Sequence, residues 1–413
     1  MYRMEVRSVH ERSLALAGTL LLALVLSAFV VGGVRPAAAQ EGTAAQQAAG
    51  FTPGAVFGMS NDADGNEVVA FNRGADGRLE PASTFETGGT GSGTIEDSAN
   101  GLILANRGGE SSPNNLQGAP RFLFATNAGS DSISVFRVEP DGLELVDVEP
   151  SNGQRPTSLT VSRGVVYVMN SGGFMCSGTE GTPSITGFRL DEGGELTPIP
   201  GSTRPLSGAP TYGCNQVSFN KSGDVVVVTQ QQADVIDTFT VNKDGTLSGP
   251  TPQQSIGNGP FGFAFTQRDQ LVTTENFGAA PGQGGAASYD VERDGTLTPL
   301  SPTVRNGQSD TCWVVITDDN RYAYAASFGD DGAISSYRVE PDGSLVLLDS
   351  QEETTGAGTA DSTLSGDSKY LYVRNSNRNT ITAFRVENDG GLTRIQEVPS
   401  GLPSGGALGI AAK

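Results

Sequence analysis

Histidine is nearly absent. The one histidine in 413 residues, His10, lies in an N-terminal apolar leader, so once that leader is removed no imidazole remains for Ser-His-Asp hydrolysis. Cysteine is scarce too. Cys176, Cys214 and Cys312 allow one internal disulfide and leave one thiol over, and no Cys/His cluster has zinc-site spacing. Basic charge is in deficit, with 26 Lys and Arg against 46 Asp and Glu. A body that acidic has no patch with which to neutralise phosphates, which argues against nucleic acid and anionic membrane surfaces as partners. A Gly-rich phosphate loop and a nucleophile elbow are also missing. The acidic run 61–67 lacks the bidentate Glu that closes a calcium loop, and it reads as a hairpin turn.

The leader itself is informative. Arg3, Arg7 and Arg12 precede an apolar run over 14–34, and Ala37-Ala38-Ala39 supplies a small-residue cleavage site, so residues 1–39 read as a signal peptide. Cleavage makes the mature protein secreted or extracytoplasmic, where disulfides persist. Left uncleaved, the run is long enough to tether the chain to a membrane. The leader carries four Arg and two acidic residues, so its loss takes the net charge from −20 to −22. Residues 40–51 are expected to be a disordered mature N-terminus, and 52–413 one folded domain.

That domain repeats. Leu123-Phe124-Ala125-Thr126-Asn127, a turn, and Ser132 to Val138 ending in Phe136-Arg137-Val138 recur as Val166 to Asn170 with Ile185 to Leu190, and as Leu371 to Asn375 with Ile381 to Val386. The aromatic of the second segment recurs at Phe71, Phe136, Phe188, Phe239, Tyr289, Tyr337 and Phe384. After it comes a tight turn and a leucine, as in Asp76-Gly77-Arg78-Leu79, Asp244-Gly245-Thr246-Leu247, Asp294-Gly295-Thr296-Leu297 and Asp342-Gly343-Ser344-Leu345. Asp-Gly between alternating apolar residues is a hairpin signal. Each unit of about 50 residues thus supplies four short strands, the signature of propeller blades. The expected fold is all-β: a seven-bladed β-propeller of four-stranded antiparallel blades. Leu408 to Ala412 reads as an inner strand with no blade after it, while the first unit lacks one, so the C-terminal strand should close the ring. The longest interval, between Phe71 and Phe136, contains a Gly/Ser/Asn-rich stretch around 107–119 that reads as a surface loop.

Inner-strand starts and the turns between second and third strands share one rim, the top, where propeller loops converge on the central channel. Cys176 and Cys214 fall on that rim in neighbouring blades, as a disulfide or as two free thiols; Cys312 is the odd one. Glu275, Asp310 and Asp361 flank the channel mouth. Three carboxylates there could hold a divalent cation or perform acid–base chemistry, and could equally be solvated loop acids; no other cofactor is indicated. Arg155, Asn215, Gln216, Phe261 and Phe328 complete the candidate binding set.

Asn-Ser-Gly after a Tyr-Val strand, Ile-Thr-x-Phe-Arg-Val, Asp-Gly-x-Leu, Pro260-Phe261-Gly262-Phe263-Ala264-Phe265 and Cys312-Trp313-Val314-Val315 give the chain a family look. It resembles the seven-bladed lactonase family, which includes 6-phosphogluconolactonase and carboxymuconate cyclase, from about Thr52 to Lys413. The resemblance implies hydrolysis or formation of a small anionic lactone, with cations clamping the anion and a His and a Glu near the ring. Where the family shows Gly-Pro-His, this sequence has Gly208 to Cys214 without His; where it shows Gly-Pro-Arg-His, Gly259-Pro260-Phe261-Gly262; and where it shows Asn-Arg, Ser327-Phe328. Thr274-Glu275-Asn276 keeps the Glu, which makes Glu275 the catalytic candidate. Two readings remain open: a lactone hydrolase acting on a less anionic ligand, and a non-catalytic extracellular binding or scaffold propeller. A monomer is expected.

Overall fold

The computed structural model describes residues 51, 53–106, 120–209, 212–329, 331–403 and 409–413. The signal peptide expected over residues 1–39 and the surface loop expected around 107–119 lie outside them. Phe51, assigned from sequence to the disordered segment, is instead packed. It is buried edge-on to Phe57, at 5.1 Å between ring centroids, and its N–H donates to the carbonyl of Pro140 at 2.7 Å.

Seven antiparallel sheets are present among the described residues; six are built on four consecutive strands, the seventh joins the C-terminal strand to the first three, and the blade formed by 156–205 adds a short fifth. The inner strands are Leu102–Ala105, Pro156–Ser162, Cys214–Phe219, Pro260–Phe265, Thr311–Ile316 and Thr359–Leu364 in blades two to seven. In blade one the inner strand is the C-terminal Ile410–Ala412, paired antiparallel to Gly54–Met59 with Val56 opposite Ala412 and Gly58 opposite Ile410. Among the described residues, helix is confined to two single turns, Phe174–Cys176 and Phe277–Ala279.

The core lies between blades. The apolar clusters mix residues of neighbouring blades, as where Tyr167 and Ile185 of blade three meet Val217 and Phe239 of blade four. The same packing explains the two repeated sequence marks. A buried tyrosine must find a partner for its hydroxyl, and the partner here is the carbonyl of the glycine-bearing turn in the next blade. Tyr167 donates to Gly245 at 2.7 Å, Tyr324 to Gly390 at 3.0 Å and Tyr372 to Gly77 at 3.0 Å. Thr238 and Ser288 do the same to Gly295 and Gly343. The turns require a positive φ, 81° at Gly77, and a Cβ there would sit 2.3 Å from the Tyr370 ring. In each turn the Asp carboxylate accepts the amide two residues on, as from Thr296 to Asp294 at 2.9 Å.

One element breaks the sevenfold pattern. Blade one ends at Glu86 and blade two begins at Leu102, and the chain between them crosses the top of the channel. Asn61 of blade one accepts the Ser92 amide at 2.8 Å and donates to the Thr94 carbonyl at 2.7 Å. Further on, Ser98 Oγ reaches the carbonyl of Thr157 in blade three, the Ala99 amide donates to Asn215 of blade four at 2.9 Å, and Trp313 of blade six donates to the Ser98 carbonyl at 3.1 Å. Contacts from opposite sides of the ring make this segment a plug.

Candidate functional site: a cavity beside the channel plug

The plug forms one wall of a cavity of about 380 Å³ on the top rim, lined by Ile95 and Asp97 from the plug and by the loops and strands of blades three to six. That volume suits a small organic ligand. Its apolar side is Trp313, Phe328, Ile95 and Met175. The indole is held on three sides, edge-on to Phe261 at 5.2 Å, tilted against Phe328 at 6.3 Å, and bonded through Nε1 to the plug. Strand-to-strand approach beneath it is close: a Cβ on Gly262 would lie 2.5 Å from the Cys312 carbonyl oxygen.

The polar side is a chain of oriented groups. Asn276 accepts the Gly278 amide at 3.0 Å and donates through Nδ2 to Gln231 Oε1 at 2.5 Å, and Gln231 Nε2 donates to Asp97 Oδ2 at 2.8 Å. Asp310 lines the same cavity, and its Oδ1 accepts the Cys312 thiol proton at 3.2 Å. Asp310 has φ of 57°, a left-handed conformation that Asp tolerates, and its carbonyl accepts the Phe328 amide at 2.9 Å. The second oxygen of each carboxyl accepts no hydrogen bond from the described residues and remains available to the cavity. No Lys or Arg is among the described lining residues.

Desolvation controls the electrostatics. Burial pushes the Asp97 carboxyl up to about 6, against the Gln231 bond and with added repulsion from Asp310. Burial raises Asp310 as well, the Cys312 bond opposing it. The Cys312 thiol is driven far up by burial and then by both carboxylates, so it donates a hydrogen bond instead of becoming a nucleophile.

The family model for the seven-bladed β-propeller lactonases matches residues 65–201 and 273–363, more than half of the chain. The chain belongs to that family. No curated protein sequence matches it. Among solved structures it resembles the periplasmic gluconolactonase of Pseudomonas aeruginosa, at 16% identity over 87% of this chain and 98% of that one, TM-score 0.64. A candidate 6-phosphogluconolactonase from Bacteroides fragilis matches at 16% identity over 87% and 97%, TM-score 0.62, and a Lactobacillus plantarum protein at 15% over 87% and 99%, TM-score 0.61. At these identities the likeness is one of fold.

Within this lactonase-family propeller the residues singled out from sequence do not converge. Asp310 and Phe328 line the cavity, and Phe261 supports it from below. Glu275 ends its strand with the side chain turned toward blade four. It is fully buried, accepts the Ser255 hydroxyl at 3.1 Å, the Gly257 amide at 2.6 Å and the Thr303 hydroxyl, and burial raises its pKa. It clamps a blade connection and does not line the cavity. Asp361 is buried beside Arg374, accepts the Ser362 amide at 2.9 Å, and is pushed up to about 7 by burial. The three carboxylates expected to gather are therefore dispersed, and no group of three metal-ligating side chains occurs among the described residues.

Arg155 is already engaged. Its Nη2 and Nε meet Glu96 Oε1 and Oε2 at 2.9 and 3.0 Å, and the pair fixes the plug to blade three. Asn215 donates to the Asp97 carbonyl at 2.8 Å, and Gln216 pairs with both backbone groups of Phe263 at 2.8 and 2.9 Å, bridging two inner strands. Cys176 and Cys214 form a disulfide, with Cα atoms 5.4 Å apart, that pins the loop carrying Met175 to the rim. Sequence reasoning missed Asp97 and Asn276. Asn276, the residue after the family Glu, was the available signal; Asp97 sits in a one-off connection that no repeat aligns.

Proposed function

We propose that this propeller is a secreted lactone hydrolase whose cavity takes a small lactone bearing no anionic group. The observation that carries the reading is the pair Asp97 and Asp310, two desolvated carboxyls in one aromatic-lined cavity with no cation among the described lining residues. Paired carboxyls with raised pKa values are suited to acid–base work near neutrality. In this scheme Asp310 as carboxylate takes a proton from water while the water oxygen bonds to the lactone carbonyl carbon. Asp97, the carboxyl with the pKa near 6, gives its proton to the ring oxygen as the ring C–O bond breaks. The product is a hydroxy acid. Its new carboxylate lies between two acidic groups, which favours release.

Support for lactone chemistry comes from family membership, and support for a neutral ring comes from the vacancy of cationic positions: Phe261 and Phe328 stand where the family resemblance led one to expect arginine. Export is read from the leader of residues 1–39. The test is a proton-release assay on the mature chain over a panel of neutral and phosphorylated lactones. Hydrolysis of neutral rings that is lost in both Asp97→Asn and Asp310→Asn supports the reading; turnover confined to phosphorylated lactones, or untouched by both variants, overturns it.

A further inference from the structure

We infer that the cavity recognises a small organic cation, a ligand that presents a protonated primary amine beside apolar carbon. The inference rests on reading the cavity as the ligand site and adds the chemical class of what enters it.

Three independent features of the cavity point the same way. Asp97 and Asp310 each hold one carboxyl oxygen in place through a partner, Gln231 and Cys312, and leave the other without a donor from the described residues. An ammonium group brings three N–H donors and no acceptor, which matches carboxyl oxygens left without a donor. The same cavity is lined by the aromatic Trp313 and Phe328, and the face of an indole attracts a cation most strongly of the aromatic side chains. Finally, no Lys or Arg among the described residues lines the site. Arg155, which ties blade three to the plug, is committed to Glu96 on two atoms. An anionic ligand would meet two carboxyls and no counter-charge among the described lining residues, whereas an uncharged one leaves their second oxygens open to a cationic group. Met175 and Ile95 close the apolar side, giving the carbon skeleton of the ligand a surface to bury.

The protein carries its own reporter, since Trp313 is the sole tryptophan. Titration of the mature chain with n-butylammonium, n-butanol and butyrate at fixed ionic strength should perturb its emission in that order of affinity. The ammonium should half-saturate at a concentration at least tenfold below the alcohol, and butyrate should fail to bind. Asp310→Asn preserves the left-handed backbone, which Asn adopts readily, and should abolish the preference for ammonium over alcohol; Asp97→Asn, with melting followed to confirm the fold, should weaken it likewise. Equal affinity for ammonium and alcohol, or a preference unchanged in both variants, overturns the inference. Lactone turnover read in parallel separates the two claims: ammonium binding without any hydrolysis defeats the proposed activity alone, and hydrolysis without ammonium preference defeats the inference alone.

Discussion

The indole Nε1 of Trp313 donates to the carbonyl oxygen of Ser98 at 3.1 Å, joining the inner strand of blade six to the segment that crosses the channel. One residue thereby floors the cavity and holds its wall. Trp313→Phe keeps an aromatic floor but leaves a void and an unpaired buried carbonyl. We expect a loss of about 2–4 kcal/mol in unfolding free energy, followed by circular dichroism in urea. Ser98→Ala, which retains the carbonyl and removes only the hydroxyl bond to Thr157, should cost about 1 kcal/mol.

Glu275 separates a structural from a catalytic role for the residue that family likeness singled out. Its two oxygens accept three donors, and Gln offers an amide where acceptors are needed. Glu275→Gln should lower stability by about 1–3 kcal/mol while leaving turnover per folded molecule unchanged. A collapse of turnover with stability intact would restore it as catalyst.

The pH dependence has a defined sign. Asp97 titrates near 6 in the folded protein and near the ordinary value of about 4 unfolded, so the folded state holds a proton that the unfolded chain has released. Its contribution is fully present below about pH 4 and is lost as pH rises through about 6. Asp361, at about 7, acts in the same direction. Exposed turn acids such as Asp244 and Asp294 are shifted down, and their stabilisation is lost only at lower pH, outside the window of 5 to 7.5. Across that window the urea midpoint of the native protein should fall, and the fall should be shallower in Asp97→Asn, which removes the titration while Gln231, Asp310 and Cys312 still face the site. A slope identical in the variant would show that Asp97 titrates normally.

How much of this was legible in the sequence follows from what repeats. The blades were readable because the same packing problem is solved around the ring: a buried hydroxyl, as in Tyr167 or Tyr324, bonded to the next blade's turn, writes its tyrosine and its Asp-Gly at a fixed period. The cavity was not, because its defining parts occur once. The plug that carries Glu96 and Asp97 has no counterpart in other blades. The side chain of Glu275 was lost to strand parity: Thr274 reaches forward to the Cys312 carbonyl at 2.7 Å, so its neighbour must turn back toward Ser255 and Gly257. Rim position could be read from sequence, whereas the facing of the final strand residue depended on where the strand ends.

The three cysteines should behave as two kinds. Under native non-reducing conditions no thiol should react with a thiol reagent, because Cys312 is buried and its thiolate is opposed by two carboxylates. Unfolding should expose one thiol, and unfolding with reduction three. Reduction opens a loop closed across 38 residues, which on the chain-entropy model lowers stability by about 4 kcal/mol and frees the segment bearing Met175 from the rim.

Ring closure gives the most demanding prediction. Ile410 to Ala412 are buried, their backbone pairs with Val56 to Gly58, and the Lys413 amide donates to the Ala55 carbonyl at 2.8 Å. Arg73 adds a bond from Nε to the Lys413 carbonyl at 3.2 Å. Deleting 409–413 removes an inner strand, so it strips a face of the clusters shared by blades seven, one and two and leaves the edge of Gly54–Met59 unpaired. An unpaired, apolar edge invites pairing with another chain. The truncated protein should therefore leave size-exclusion chromatography as aggregate, and a peptide of sequence 409–413 supplied in trans should not rescue it, because so short a strand cannot offset the entropy of association. A monomeric truncated protein with native melting would mean that blade one closes on itself, and the ring would need no clasp.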